Sequence, residues 1–409
     1  MMKIRESLNL PCGVILPNRI GKSAMSENMA SPPLYPGKEF YTSYKSWIDG
    51  GAGLLISGNI MVDSRHLGET NNVVIEKGID NTSQLKDWSR ARENSKSHIW
   101  VQLNHPGKQT PKFLTKKPVA PSAITLKPPL DQMFNTPREL SEEEIFDIID
   151  RFAYSAKVVK ESGFTGVQIH GAHGYLVSQF LSPAHNQRSD QWGGPLENRM
   201  RFVVEIYKSI RESVGASFPI GIKLNSADFA KGGFTHEEAV MVAKKLSELG
   251  IDLIELSGGS YEAPIMTGIK IKKSTQKREA YFLEYAADIK KVIHCPLMVT
   301  GGFRTSEFIN RSLEEESLDI VGMGRALCLN PQFSNQLLAG EKVESEVRPL
   351  SSGVNILDSI FPLEIIWYTM QIQRLGAGKK PNAKISVYRS IFHSILDMGV
   401  QGLKRVRSS

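Results

Sequence analysis

The feature that most constrains this chain is an alternation. Short strand-like runs recur at Lys22–Met25, Leu54–Ser57, Ile99–Leu103, Gly166–His170, Ile220–Leu224, Leu253–Leu256, Leu297–Thr300 and Asp319–Val321. Between them lie stretches with helical period: Lys38–Asp49, Thr82–Lys96, Ser141–Ser162, Leu196–Ser213, His236–Leu249, Glu279–Ile293 and Thr305–Glu315. Brief apolar runs suit strands buried on both faces, and apolar residues three and four apart suit helices with one covered side. Ser141 and Glu144 have the spacing of a capping box. Gly163, Gly215 and Gly250 stand where a helix ends before the next strand. Strand and helix repeated in this way predict a closed (β/α)8 TIM barrel over an open doubly wound sheet. The first strand-to-helix turn lacks GxGxxG, which disfavours a dinucleotide-binding half.

Two segments fall outside the repeat. Lys108–Glu139 is proline-rich and aperiodic, too long for an ordinary connection, and predicts a loop subdomain over the barrel mouth after strand three. Residues 343–409 predict a C-terminal helical extension packed on a barrel formed by 1–342, with helices at Leu363–Leu375 and Ile385–Leu403.

Composition excludes more than it proposes. A net charge of +7 spread over 409 residues, without a polybasic block, gives no reason to expect nucleic acid as a partner. Cys12, Cys295 and Cys328 are far apart, which argues against an iron–sulfur cluster or a cysteine-type zinc site. No apolar run is long enough for a membrane helix and no signal peptide is visible, so a reducing cytoplasm is the expected location. The oligomeric state is not legible.

In a barrel the binding groups gather at the C-terminal ends of the strands. Polar residues crowd those positions: Ser23 and Ser26, then Gln102, Asn104 and His105, then His170-Gly-Ala-His173-Gly-Tyr175. Lys223 interrupts the apolar run of strand five. Burying it is costly unless an anionic ligand or a neighbouring carboxylate faces it. Strands seven and eight end in glycine-rich turns, Thr300-Gly301-Gly302-Phe303 and Gly322-Met323-Gly324-Arg325, suited to hold a phosphate with backbone N–H groups and a guanidinium. His170 and His173 invite a zinc reading, but no third ligand is placed and hydrogen bonding to a substrate oxygen suits them better, so no metal is expected.

The stretch His170–Phe202, HGAHGYLVSQFLSPAHNQRSDQWGGPLENRMRF, resembles the signature of the Old Yellow Enzyme family of FMN-dependent NADH:flavin oxidoreductases. Asn18-Arg19-Ile20, Gly53–Ser57, Val101–His105 with Gly107, and the two glycine turns resemble it in order. The resemblance implies FMN as cofactor and NADPH or NADH as electron donor. It implies that Ser23, Ala24, Met25 and Ser26 pack on the flavin, that Gly58 touches it through its backbone, and that Gln102 bonds its pyrimidine edge. Lys223 would face the side where negative charge develops on reduction, and Gly301, Gly302, Gly324 and Arg325 would cradle the phosphate. His170 and His173 would hold the oxygen of a small electrophilic alkene, an α,β-unsaturated carbonyl or nitro compound, and Tyr175 would protonate its α-carbon. The remainder of the signature, with Arg188, Asp190 and Trp192–Arg199, reads as architectural.

Three positions depart from the family pattern. Ala24 replaces a common proline, Ser26 stands where threonine or cysteine tunes the flavin, and Lys223 replaces arginine and loses its bidentate fork. The chain lacks the cysteine motif of the dienoyl-CoA reductase branch, so electrons are expected directly from the nicotinamide. Three alternatives stand beside the ene-reductase reading. They are an FMN barrel with another reaction, such as small-molecule oxidation or demethylation, a flavin-free lyase using Lys223 as a Schiff-base nucleophile, and a non-catalytic binding protein.

Overall fold

The structure is a computed structural model describing residues 2–263, 282–354, 357–358 and 362–406, with side chains through 396. Eight parallel strands close a barrel: β1 (Ile20–Lys22), β2 (Leu54–Met61), β3 (His98–Asn104), β4 (Gly166–Gly171), β5 (Ile220–Asn225), β6 (Leu253–Ser257), β7 (Leu297–Thr300) and β8 (Ile320–Met323). Closure is made by β8 on β1, with Val321 opposite Ile20.

Side chains alternate across each strand. Val167, Ile169, Ile222, Leu224, Ile254, Leu256 and Val321 face outward into one large core under the helices. Leu54, Ile56, Trp100, Leu253, Met298 and Ile320 fill the lower interior, closed below by Leu16 of an N-terminal strand pair and Leu10 of its connecting turn. Trp100 fits because Gly166 and Gly221 lie beside it, where an added Cβ would come within 2.5 and 2.9 Å of the indole. Above this apolar plug the inward positions turn polar: Gln102, Gln168, Lys223, Glu255 and Thr300. The barrel is therefore a filled cylinder below and a polar cup at its C-terminal mouth.

The boundaries differ from the sequence expectation where local chemistry intervenes. β1 ends at Lys22, so Ser23–Ser26 leave the strand and cross the mouth. β2 runs on to Met61 because a register shift between Ile56 and Asn59 absorbs Ser57 and Gly58. Gly58 is thus a bulge residue inside β2, whereas the sequence pattern ends this strand at Ser57. The helix from Thr82 stops at Ser89 in a short 3-10 turn, and Leu196–Ser213 is broken at Met200 into Leu196–Arg199 and Arg201–Val214. Of Glu279–Ile293, residues 279–281 lie outside the described residues and Leu283–Lys290 is helical. The capping box at Ser141 and Glu144 is present, and a second joins Thr235 to Glu238. Gly163, Gly215 and Gly250 all have positive φ, as helix-ending glycines should.

The proline-rich excursion carries a small parallel pair, Val119–Ala120 with Arg138–Glu139. It reaches the loop after β6: the Phe134 and Tyr261 rings lie 6.2 Å apart, and Lys127 N donates to Glu262 at 2.9 Å. In the C-terminal segment, helix Leu363–Gly376 packs on Lys38–Asp49, and a second helix covers Val387–Val406. Among the described residues no helix is long and apolar enough to cross a membrane.

Candidate active site

The mouth is organised first by the turn after β4. His173 takes φ 62° and Gly174 φ 79°, which folds the chain back so that three rings converge. A non-glycine residue seldom adopts that conformation, and here the His173 N–H donates to Asn225 Oδ1 at 3.2 Å. The His170 ring lies 5.2 Å from that of His173 and 4.8 Å from that of Tyr175. His170 Nδ1 accepts from the Ala172 N–H at 3.3 Å, which leaves the proton of the neutral ring on Nε2 as a donor. His173 Nε2 meets Ser257 Oγ at 2.8 Å. Burial, then His173 and Lys223, hold His170 far below the ordinary imidazole range, and burial with Lys223 lowers His173 to about 3. Both rings are therefore neutral hydrogen-bonding groups at pH 7.

Tyr175 OH lies 2.9 Å from Tyr261 OH and accepts from Asn59 Nδ2 at 3.4 Å. Burial and then Tyr261 push the Tyr175 phenol well above its ordinary value, and burial raises Tyr261 to about 12. Tyr175 is thus a protonated phenol at pH 7.

Beneath these rings lies the polar layer. Lys223 Nζ sits 3.1 Å from Glu255 Oε1, and both side chains are almost wholly buried. Glu255 also accepts from Gln168 Nε2 at 2.7 Å and Thr300 Oγ1 at 2.6 Å. Gln168 Oε1 accepts from Gln102 Nε2 at 2.7 Å, and Ser23 Oγ lies 2.7 Å from Thr300 Oγ1. The carboxylate partner allowed for Lys223 on sequence grounds is thus present. It occupies the amine that a Schiff-base nucleophile needs free, which weighs against the lyase alternative.

The segment Ser23–Ser26 lies along one side of the mouth. Its Ser26 hydroxyl donates to Glu69 at 2.5 Å, and burial raises the Glu69 carboxyl. Gly58 backs this segment so closely that an added Cβ would meet Met25 O at 2.4 Å. Met25 Sδ lies 3.4 Å from Cys328 Sγ and also crowds Gly324. Behind, Lys22 is fully buried, 3.7 Å from Glu27 and 4.5 Å from the Trp47 ring centroid, and Glu27 accepts from Tyr44 OH at 2.5 Å. That group cements β1 to Lys38–Asp49 and faces away from the mouth.

Gly301 and Gly302 have φ of 112° and 84°, an N–H-presenting turn closed to other residues. Arg325, just past β8, binds Glu364 of the C-terminal segment at 3.0 Å, with Tyr368 beside its guanidinium. Gly322 lies inside β8, where an added Cβ would meet Thr300 Oγ1 at 1.9 Å, so it belongs to the barrel wall and not to a turn. These parts fit a flat, hydrogen-bonding ring with a phosphate tail. There is a wall of backbone and small side chains at Ser23–Ser26 and Gly58, an amide at Gln102, a cation at Lys223, and a glycine turn near an arginine.

A second histidine group deserves its own accounting. Donors of Asp63, His66 and His105 lie within 4.8 Å of one another. His105 Nδ1 accepts from Gly107 N at 3.1 Å, which puts the ring proton on Nε2, the atom facing Asp63. Arg65 holds the Asp63 carboxylate with both Nε and a terminal nitrogen. A metal ligand needs a lone pair where His105 carries a proton, so this group is electrostatic packing.

The family model for the NADH:flavin oxidoreductase / NADH oxidase family matches residues 12–344. The chain belongs to this family. It is an Old Yellow Enzyme homologue, an FMN-dependent oxidoreductase drawing electrons from a nicotinamide nucleotide. It is similar to the NADH-dependent flavin oxidoreductase iliE of Hypocrea jecorina, 34% identical over 86% of this chain and 93% of that protein. The nadA flavin oxidoreductase of Aspergillus parasiticus is 33% identical over 89% and 83%. Among solved structures, 2-naphthoyl-CoA reductase superposes with a TM-score of 0.80 at 24% identity, over 92% of this chain and 57% of that one. Morphinone reductase with tetrahydroNAD gives 0.70 at 23%, over 84% and 92%. At these identities the structural likeness speaks for the fold.

Within this Old Yellow Enzyme barrel the structure gathers His170, His173 and Tyr175 into one corner, and links Ser23, Gln102 and Lys223 through one network. Sequence reasoning missed Glu255, Gln168, Asn59 and Glu69, and it named Thr300 only as the start of a glycine turn. Glu255 carried a signal, since it is a lone carboxylate inside the apolar run Leu253–Leu256, the counterpart of Lys223 one strand away. The sequence also points to Tyr261–Lys277, after strand six, as a shaper of the pocket; Tyr261 reaches the site, and residues 264–277 lie outside the described residues.

Proposed function

We propose that the chain is an ene-reductase, saturating the activated C=C bond of α,β-unsaturated carbonyl or nitro compounds with NADH or NADPH. The observation carrying this reading is the convergence of a neutral imidazole donor, His170, and a protonated phenol, Tyr175, on one side of the cup.

FMN, when bound, takes hydride from the nicotinamide and delivers it to the β-carbon of the alkene. Ser23–Ser26, Gly58, Gln102 and Lys223 would hold its ring, and Gly301, Gly302, Gly324 and Arg325 its phosphate. The residues of the chain supply everything else. His170 Nε2–H, aided by His173, binds the carbonyl or nitro oxygen and stabilises the charge that grows there. Tyr175 gives its proton to the α-carbon, so the alkene gains one hydride and one proton. Tyr261 and Asn59 hold the phenol oxygen in place meanwhile. The cup floor of apolar residues keeps bulk water from below.

The test is reduction of a prochiral enone with NADH or NADPH deuterated at the transferable position. The reading expects one deuterium on the β-carbon and a solvent proton on the α-carbon, with one configuration in excess. Oxidised nicotinamide accumulating across a panel of enones and nitroalkenes without any saturated product would count against it.

A further inference from the structure

Glu255 is the one acid of the polar layer, and every hydrogen bond in that layer points toward it. Its two oxygens take Lys223 Nζ at 3.1 Å, Thr300 Oγ1 at 2.6 Å and Gln168 Nε2 at 2.7 Å. A carboxylate has only lone pairs to offer, so each partner must present a donor. Gln168 must turn its Nε2 to Glu255, which leaves Oε1 facing Gln102. Gln102 must then spend its Nε2 on Gln168, at 2.7 Å. Its Oε1 makes no hydrogen bond among the described residues. By the same logic the Thr300 proton goes to Glu255, so the Ser23 hydroxyl donates to Thr300. Groups on five other strands or strand ends are thereby linked to one buried carboxylate.

We infer that Glu255 is a positioning residue for the flavin: it makes Gln102 a hydrogen-bond acceptor at the cup, and it offsets the charge of Lys223. This deepens the proposed function and rests on Gln102 and Lys223 facing the ring. An acceptor at Gln102 suits a ring N–H. A lysine already paired with a carboxylate stabilises added electron density less than a lysine alone, so Glu255 holds the flavin at a lower potential and makes it a better hydride donor. The lysine-for-arginine change belongs to the same arrangement. An ammonium with one N–H on Glu255 keeps two donors but lacks the planar fork with which a guanidinium grips a ligand.

Two variants separate the two roles. Glu255→Gln removes the negative charge and, by offering an amide, lets the Gln168–Gln102 chain reverse. In the holoenzyme, titrated against a reference dye, the ratio of reduced to oxidised flavin at fixed potential should rise about tenfold, which is about 30 mV for a two-electron couple. Binding of oxidised FMN to the apoprotein should weaken about tenfold, the size of one well-placed hydrogen bond. Gln168→Leu cuts the chain but keeps the ion pair, so it should weaken FMN binding and leave the ratio unchanged. It also keeps the inference testable if Glu255→Gln does not fold. A Glu255→Gln holoenzyme with an unchanged ratio, or a Gln168→Leu protein with unchanged FMN affinity, would overturn the inference. Lys223→Met distinguishes this failure from failure of the underlying reading. If that variant leaves the ratio unmoved too, Lys223 does not face the flavin; if it lowers the ratio while Glu255→Gln does nothing, only the role of Glu255 is lost.

Discussion

The phenol oxygens of Tyr175 and Tyr261 lie 2.9 Å apart, one from the turn after β4 and the other from the loop after β6. Two phenols within hydrogen-bond distance share a single proton between their oxygens and keep the other free to leave. Tyr175→Phe should therefore lower the rate of enone reduction by about 10²–10⁴, the usual worth of a general acid. Reduction of the flavin by nicotinamide, which needs no proton from Tyr175, should stay close to wild type. Rapid-mixing measurement of the two half-reactions separates these outcomes. Tyr261→Phe, which removes only the support, should give the smaller loss.

The buried histidines predict an unusual acid sensitivity. His66 and His173 are both lowered to about 3 by burial, and His170 is lowered as well. In the unfolded chain these rings titrate near about 6.5. Between that value and about 3 the unfolded state binds protons that the folded state refuses, so stability falls as pH falls through this window. Each ring contributes a slope of about 1 kcal/mol per pH unit. Thermal unfolding should show Tm dropping steadily below pH 6.5, and His66→Asn should flatten part of that drop.

Gly58 brings β2 close against the segment after β1. An added Cβ would meet Met25 O at 2.4 Å, and that oxygen belongs to backbone that cannot swing away cheaply. Gly58→Ala should destabilise the fold by about 1–3 kcal/mol. It should also displace Ser23–Ser26 and reduce FMN retention on gel filtration. Retention equal to wild type would remove Gly58 from the flavin wall.

Helix Leu363–Gly376 holds the same segment from the other side. Thr369 Oγ1 donates to Ser26 O and Gln373 Nε2 to Asn28 O, each at 3.2 Å, while Glu364 fixes Arg325. This helix, which lies beyond the family match, thus braces the segment that would pack on the flavin. The Thr369→Val, Gln373→Leu double variant loses two hydrogen bonds of about 0.5–1.5 kcal/mol each. FMN dissociation, followed by the return of free-flavin fluorescence, should strengthen by about tenfold.

Much of this was legible in the chain because the barrel writes itself periodically. The alternation located all eight strands to within a few residues, since each must be apolar outward whatever lies inside. Inward positions are harder. Lys223 and Glu255 are each a lone charge in an apolar run, but only the pairing of β5 with β6 shows that the two face each other. The continuation of β2 past Ser57 was not legible because the bulge at Gly58 depends on pairing with β3 and leaves no mark in β2 alone. Tyr261 and Glu69 come from loops whose paths are set by the excursion and by Ser26, contacts separated by dozens of residues. The signature around His170 gave three site residues at once because one turn carries all three.

The most direct test of the central claim is an anaerobic visible spectrum of the purified protein, taken before and after NADH or NADPH and again after an enone. An FMN-dependent ene-reductase should show the two absorption bands of oxidised flavin, their bleaching by the nicotinamide, and their return on adding the enone with saturated ketone formed in equal amount. A protein that stays colourless after incubation with FMN would contradict it, as would bleached flavin that no enone or nitroalkene can reoxidise.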